Sequence, residues 1–97
     1  NICRVDGIIE LDIKGRLDTA NARDFSIAIQ PLLQEDKPNI IVNCEQMSYI
    51  SSSGLRCFLI LQKSVQKNQG SLIIEAMRPE IKNIFEMTGC TSLFNIR

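Results

Sequence analysis

Hydrophobic and polar positions alternate along Ile9-Glu10-Leu11-Asp12-Ile13-Lys14, and a period of two over that length predicts a strand with one wet face. Val5-Asp6-Gly7 is a turn signal, so Asn1 to Arg4 are expected to form a partner strand in a hairpin. Gly15-Arg16-Leu17-Asp18-Thr19 breaks the alternation, and Asp18 or Thr19 can cap a helix there. Beyond it Ala22, Phe25, Ile29, Leu32 and Leu33 recur at helical spacing, an amphipathic stripe. Pro31 interrupts that stripe; it removes a helix hydrogen bond and crowds the carbonyl of Ile27, which predicts a kink or an early stop. Asn39-Ile40-Ile41-Val42-Asn43-Cys44 is almost continuously apolar, the pattern of a central strand buried on both faces.

A loop, Glu45 to Ser53, precedes Gly54 and the apolar run Leu55 to Leu61, which passes into polar Gln62 to Gln69. A helix of this kind starts inside a fold and leaves it, with Gly70 as a left-handed stop. Ser71 to Ala76 reads as a strand and Pro79 opens a helix whose inward face is Ile81, Ile84 and Phe85, closed by Gly89. Leu93 to Ile96 reads as a last strand. Phe25, Phe58 and Phe85 are assigned to the core, and Lys63 and Lys67 to solvent. The order β-β-α-β-α-β-α-β predicts a single α/β domain over residues 1–97, with a mostly parallel central sheet and an N-terminal hairpin. The segments leaving the second and third strands, Gly15 to Thr19 and Glu45 to Ser53, then become neighbours at one edge of the sheet, where open α/β folds meet ligands and partners.

Composition narrows the chemistry. The 97 residues carry 11 Lys+Arg against 11 Asp+Glu, so the basic excess typical of a nucleic-acid binder is missing. No apolar run approaches the roughly 20 residues of a membrane span, and no membrane contact is expected. With His 0, no imidazole is available to activate a serine or cysteine nucleophile, which leaves Lys14 as the nearest substitute base for a hydrolase reading. Cys3, Cys44, Cys57 and Cys90 form no close pair for a metal and sit among apolar neighbours, so all four are read as small buried hydrophobes. Reduced thiols suit the cytoplasm. Neither cofactor nor metal is expected, and the chain is read as a non-enzyme, opening on Asn1 in the manner of a trimmed fragment.

Ser51-Ser52-Ser53-Gly54 has two readings. Hydroxyls ahead of an apolar run are a helix cap, with Gly54 permitting close packing. They are also a place for a switch, because a helix N-terminus accommodates a phosphate, which brings roughly −1.5 to −2 charges at pH 7. Arg16 and Arg56 are read either as solvated or as readers of a phosphate or a partner's carboxylate, and Met47 and Tyr49 either as core or as part of a partner-facing loop.

Gly15-Arg16-Leu17-Asp18-Thr19 together with Tyr49-Ile50-Ser51-Ser52-Ser53-Gly54-Leu55-Arg56 resembles the two signature loops of STAS domains, more narrowly those of bacterial anti-sigma factor antagonists. Ile81 to Gly89 is similar to the family's third helix, so the resemblance spans nearly the whole chain. It implies a switch protein that binds an anti-sigma factor serine kinase, which supplies the ATP and Mg²⁺ site, and that is released when a serine is phosphorylated and restored by a PP2C-type phosphatase. The family's acceptor, the first serine of Asp-Ser-Ser-Gly, falls on Ser52; the family's Asp is Ser51 here, which leaves the choice among Ser51, Ser52 and Ser53 open. Asp18 matches the acid of the first loop at the border of the docking surface, which is expected to include Asp18, Thr19, Tyr49, Ser51, Ser53, Gly54 and Arg56. The family usually carries a C-terminal helix after the last strand, and at that end the chain is read as either trimmed or genuinely short. The alternative within the family is a docking module of an anion transporter or lipid-transport complex without a phosphorylation cycle.

Overall fold

The structure is a computed structural model that describes residues 2–97. The expected hairpin is present as β1 (Ile2–Val5) antiparallel to β2 (Ile8–Asp12); Asn1 lies outside the described residues. Then follow β3 (Gly15–Leu17), α1 (Ala22–Ala28), β4 (Asn39–Asn43), β5 (Met47–Ile50), α2 (Ser52–Lys67), β6 (Ser71–Glu75), α3 (Pro79–Met87) and β7 (Asn95–Ile96). The main sheet has the order β1-β2-β4-β6-β7, parallel except for the hairpin, while β3 and β5 form a separate parallel pair. The α/β architecture with a mostly parallel central sheet is the one the element order predicts. None of the helices among the described residues is long and apolar enough to cross a membrane.

Strand register builds the core. Ile9, Ile40 and Leu72 stand side by side across β2, β4 and β6, as do Leu11, Val42 and Ile74, and all six are buried. Against them α2 presses Leu55, Phe58, Leu61 and Val65. Phe58 lies at the centre, with ring centroids 5.8 Å from Phe25, 6.0 Å from Phe85 and 6.4 Å from Phe94. Phe85 is fully buried, whereas Phe25 is only half-buried at the rim.

Several details differ from the expectation. β4 is buried on one face only: Ile40 and Val42 point inward, while Ile41 and Asn43 stay half-exposed, because an apolar run records what a strand tolerates rather than what covers it. Cys3 is exposed on the edge strand β1, whereas Cys44, Cys57 and Cys90 are buried. α1 begins at Ala22 rather than straight after Asp18 or Thr19 and stops at Ala28; Pro31 sits in a separate 3₁₀ turn, Gln30–Gln34. The last strand shortens to Asn95–Ile96 behind a 3₁₀ turn over Thr91–Leu93.

Both long-helix exits are Schellman motifs. At the end of α3, Gly89 takes φ 74°, its N–H donates to the Glu86 carbonyl at 3.1 Å and that of Cys90 to Phe85 at 2.8 Å. At the end of α2 the left-handed residue is Gln69, φ 61°, with Gln69 N–H donating to Gln66 and Gly70 N–H to Val65. Gly70 is therefore not the left-handed stop. It is glycine because a Cβ there would collide with the backbone of Pro38, against which the chain turns into β6.

Candidate functional site

The two segments expected to meet do so as a small sheet. Gly15 N–H donates to the Gln46 carbonyl at 2.8 Å, and β3 then pairs with β5 through Arg16 opposite Tyr49 and Leu17 opposite Ile50. Both segments read as loops in the sequence, because strands of three and four residues show too few positions for a period. The pair delivers the chain to the start of α2: Ser51 N–H donates to the Leu17 carbonyl at 2.8 Å. Leu17, Met47 and Ile50 are buried beneath this junction. Met47 is therefore a core residue, while Tyr49 stays half-buried at the surface.

Gly54 closes the junction. A Cβ on it would lie 2.9 Å from Ile50 Cγ1 and 2.9 Å from Leu17 Cγ, inside the contact limit, so the first turn of α2 can sit on β3 and β5 only without a side chain there. Ser51, in extended conformation at the cap position, accepts a hydrogen bond on its Oγ from Gly54 N–H at 3.2 Å. Its hydroxyl is thus occupied and the residue is 8% exposed. Ser52, the first residue of the helix, is exposed, and Ser53 is half-buried. The cap and the free hydroxyl, alternatives in the sequence, fall to neighbouring residues.

Across from the serines, Asp18 Oδ1 accepts from the N–H groups of Ala20 and Asn21, each at 3.1 Å, and Asn21 Oδ1 accepts from Asp18 N–H at 2.9 Å. Asn21 Nδ2 also donates to the Arg16 carbonyl at 2.6 Å. Asp18 therefore holds the turn before α1 rather than capping the helix; Asn21, which the sequence reading passed over, completes it, and the Asp-x-x-Asn spacing was its signal. Thr19 is exposed beside it. Arg16 lies over the Tyr49 ring, 4.4 Å from guanidinium carbon to centroid, and its Nε is 3.8 Å from Asp18 Oδ2. With Arg16 largely in solvent and the separation long, that ion pair is worth little, although Asp18 is half-buried.

Arg56 is exposed one turn beyond Ser52. The first turn of α2 carries no acidic residue, and no ion pair holds Arg56 among the described residues. The result is a hydroxyl at the electropositive end of a helix, with Asp18, Thr19, the Arg16–Tyr49 stack and the exposed Arg56 on the elements that adjoin it. Such a surface suits docking of a protein and covalent marking of the hydroxyl.

Comparison with known proteins identifies the family. The profile of the STAS domain matches residues 1–97. The anti-sigma-B factor antagonist of Staphylococcus aureus is 30% identical over 91 residues, covering 94% of this chain and 84% of the relative. Among solved structures, the anti-sigma factor antagonist SpoIIAA in its unphosphorylated form superposes with a TM-score of 0.83 at 19% identity, covering 100% of this chain and 86% of that one. The phosphorylated form of the same Bacillus protein gives a TM-score of 0.77 at 19% identity, over 100% of this chain and 89% of the other. On a matched profile that runs the whole length, a relative of this identity and a shared fold, the chain belongs to the STAS domain family, among its anti-sigma factor antagonists.

Proposed function

We propose that this chain works as a phosphorylation-controlled anti-sigma factor antagonist. Unmodified, it docks on an anti-sigma factor serine kinase through Asp18, Thr19, Tyr49, Ser53 and Arg56, and so frees a sigma factor; Ser51 and Gly54, expected at that surface, are buried and shape it from beneath. The kinase, which brings the ATP and Mg²⁺, transfers the γ-phosphoryl group to Ser52. The Ser52 Oγ–phosphorus bond forms as the bond to the β-phosphate oxygen breaks, ADP leaves, and the hydroxyl proton passes to a base of the kinase. A PP2C-type phosphatase reverses the mark: water attacks phosphorus, Ser52 Oγ leaves with a proton, and inorganic phosphate is released. The chain itself catalyses neither step, and the cycle runs in the cytoplasm.

The observation that carries this reading is the division of labour among three hydroxyls. Ser51 is buried and engaged with Gly54 N–H, Ser53 is half-buried, and Ser52 stands open at the first position of α2. Because Ser51 already caps the helix, a phosphate on Ser52 meets an existing electropositive end and requires no refolding. It places a dianion in the middle of the docking surface, so release follows from charge and volume rather than from a change of fold. SpoIIAA, which shares the fold, has been solved in phosphorylated and unphosphorylated forms. The test is incubation with an anti-sigma factor serine kinase and ATP, followed by peptide mass mapping: one phosphate on Ser52 is expected, and a phosphate on Ser51 or Ser53, or none, overturns the assignment.

A further inference from the structure

Resting on the reading of Ser52 as the modified residue, we infer that Arg56 is the intramolecular receptor of its phosphate. The guanidinium folds back one helical turn and pairs with the phosphate, so the marked state both adds an anion to the docking surface and withdraws a cation from it.

Ser52 and Arg56 are four residues apart in α2 and both exposed. That spacing puts two side chains on one face of a helix, with Cβ atoms about 5–6 Å apart. Helical side chains lean toward the N-terminus, so a long residue covers the turn that precedes its own Cα. For Arg56 that turn begins at Ser52. No competitor holds the guanidinium: α2, Ser52–Lys67, contains no acidic residue, and among the described residues Arg56 enters no ion pair. The carboxylate across the site, Asp18, already receives two backbone N–H groups and lies next to Arg16, and Arg16 is itself stacked on Tyr49. Ser51, in place of an acid at the cap, leaves no carboxylate beside Ser52 to draw Arg56 away. A planar guanidinium matches two phosphate oxygens at once, which a lysine ammonium does not. In the unmodified chain the same guanidinium is free to meet a carboxylate of the partner, so phosphorylation exchanges an intermolecular pair for an intramolecular one.

Phosphoserine incorporated at position 52 during translation, without any kinase, makes the test independent of whether a kinase acts there. The second pKa of that phosphate is read by phosphorus NMR titration in the parent chain and in R56Q, R56K and K63Q, with far-UV circular dichroism as the check on folding. R56Q is expected to raise the pKa by about half a unit, R56K to restore part of the shift, and K63Q, which removes the same charge further along α2, to leave it nearly unchanged. Equal values in the parent and R56Q, or equal shifts in R56Q and K63Q, overturn the pairing. Failure of a kinase to modify Ser52 would overturn the proposed cycle and leave this titration as it stands.

Discussion

The backbone N–H of Ser51 donates to the carbonyl of Leu17 at 2.8 Å, and this bond joins the two halves of the proposed docking surface. It extends the β3–β5 pair by one step and sets Ser51 in the extended conformation that lets its side chain turn back onto Gly54 N–H. Position 52 is then the first residue of the helix and faces outward. The exposure of Ser52 is thus a consequence of strand pairing between segments more than thirty residues apart, rather than of the tetrapeptide alone.

Removing the cap separates stability from signalling. S51A is expected to destabilise the fold by about 1 kcal/mol, the usual cost of losing a helix cap, while Ser52 remains a substrate. S51D supplies a carboxylate acceptor at the same position and is expected to recover most of that loss. Urea unfolding of the three chains, with kinase labelling alongside, measures both quantities.

Gly54 and Gly70 are places where a single methyl group is too much. G54A forces a Cβ against Ile50 and Leu17 and is expected to cost about 1–3 kcal/mol, with weaker kinase binding because the first turn of α2 lifts off the β3–β5 pair. G70A meets the Pro38 backbone, which yields less readily than a side chain, and is expected to cost at least as much while leaving the docking surface in place. Unfolding midpoints set against affinity for the kinase distinguish the two: only G54A should lose binding beyond what its lost stability explains.

The thiols report burial. Cys3 is exposed, so a maleimide at pH 8 should label it first, leaving Cys44, Cys57 and Cys90 unmodified until the chain opens, as intact mass would show. Burial pushes the Cys44 thiol up from 9.0 to about 12, and raises that of Cys57 with Arg56 pulling it partly back. A thiol that holds its proton more tightly when folded favours the native state below its unfolded pKa. The Cys44 contribution is therefore complete below about pH 9 and is lost as pH rises through about 12. Stability measured from pH 8 to 11 should fall, and C44A should be less stable at neutral pH yet show a shallower decline. An equally steep decline in C44A contradicts this account of Cys44.

Much of the architecture was legible because period and punctuation survive without context. The alternation at Ile9, Leu11 and Ile13 marked a one-faced strand, Pro31 and Pro79 marked the ends of helices, and Gly89 a left-handed stop. What the residues concealed were features set by distant neighbours. β3 and β5 are too short to show a period and exist because each pairs with the other. Gly70 resembles a helix stop, but its absent side chain answers to Pro38, which only the folded chain brings near. Cys3 has apolar company in sequence yet lies on an edge strand, where nothing covers it. At the site, the serine run left both a cap and a switch open; that Ser51 caps the helix while Ser52 is exposed depends on Leu17 and Gly54.

The most direct test compares the affinity of one anti-sigma factor serine kinase for the unmodified chain, for the chain phosphorylated at Ser52 and for S52A, by calorimetry at a single ionic strength. Unmodified chain and S52A should bind alike, and the phosphorylated chain about a hundredfold more weakly, an effect of about 3 kcal/mol from placing a phosphate in the interface and withdrawing a guanidinium from it. Equal affinities for all three would contradict the claim that the Ser52 hydroxyl controls docking.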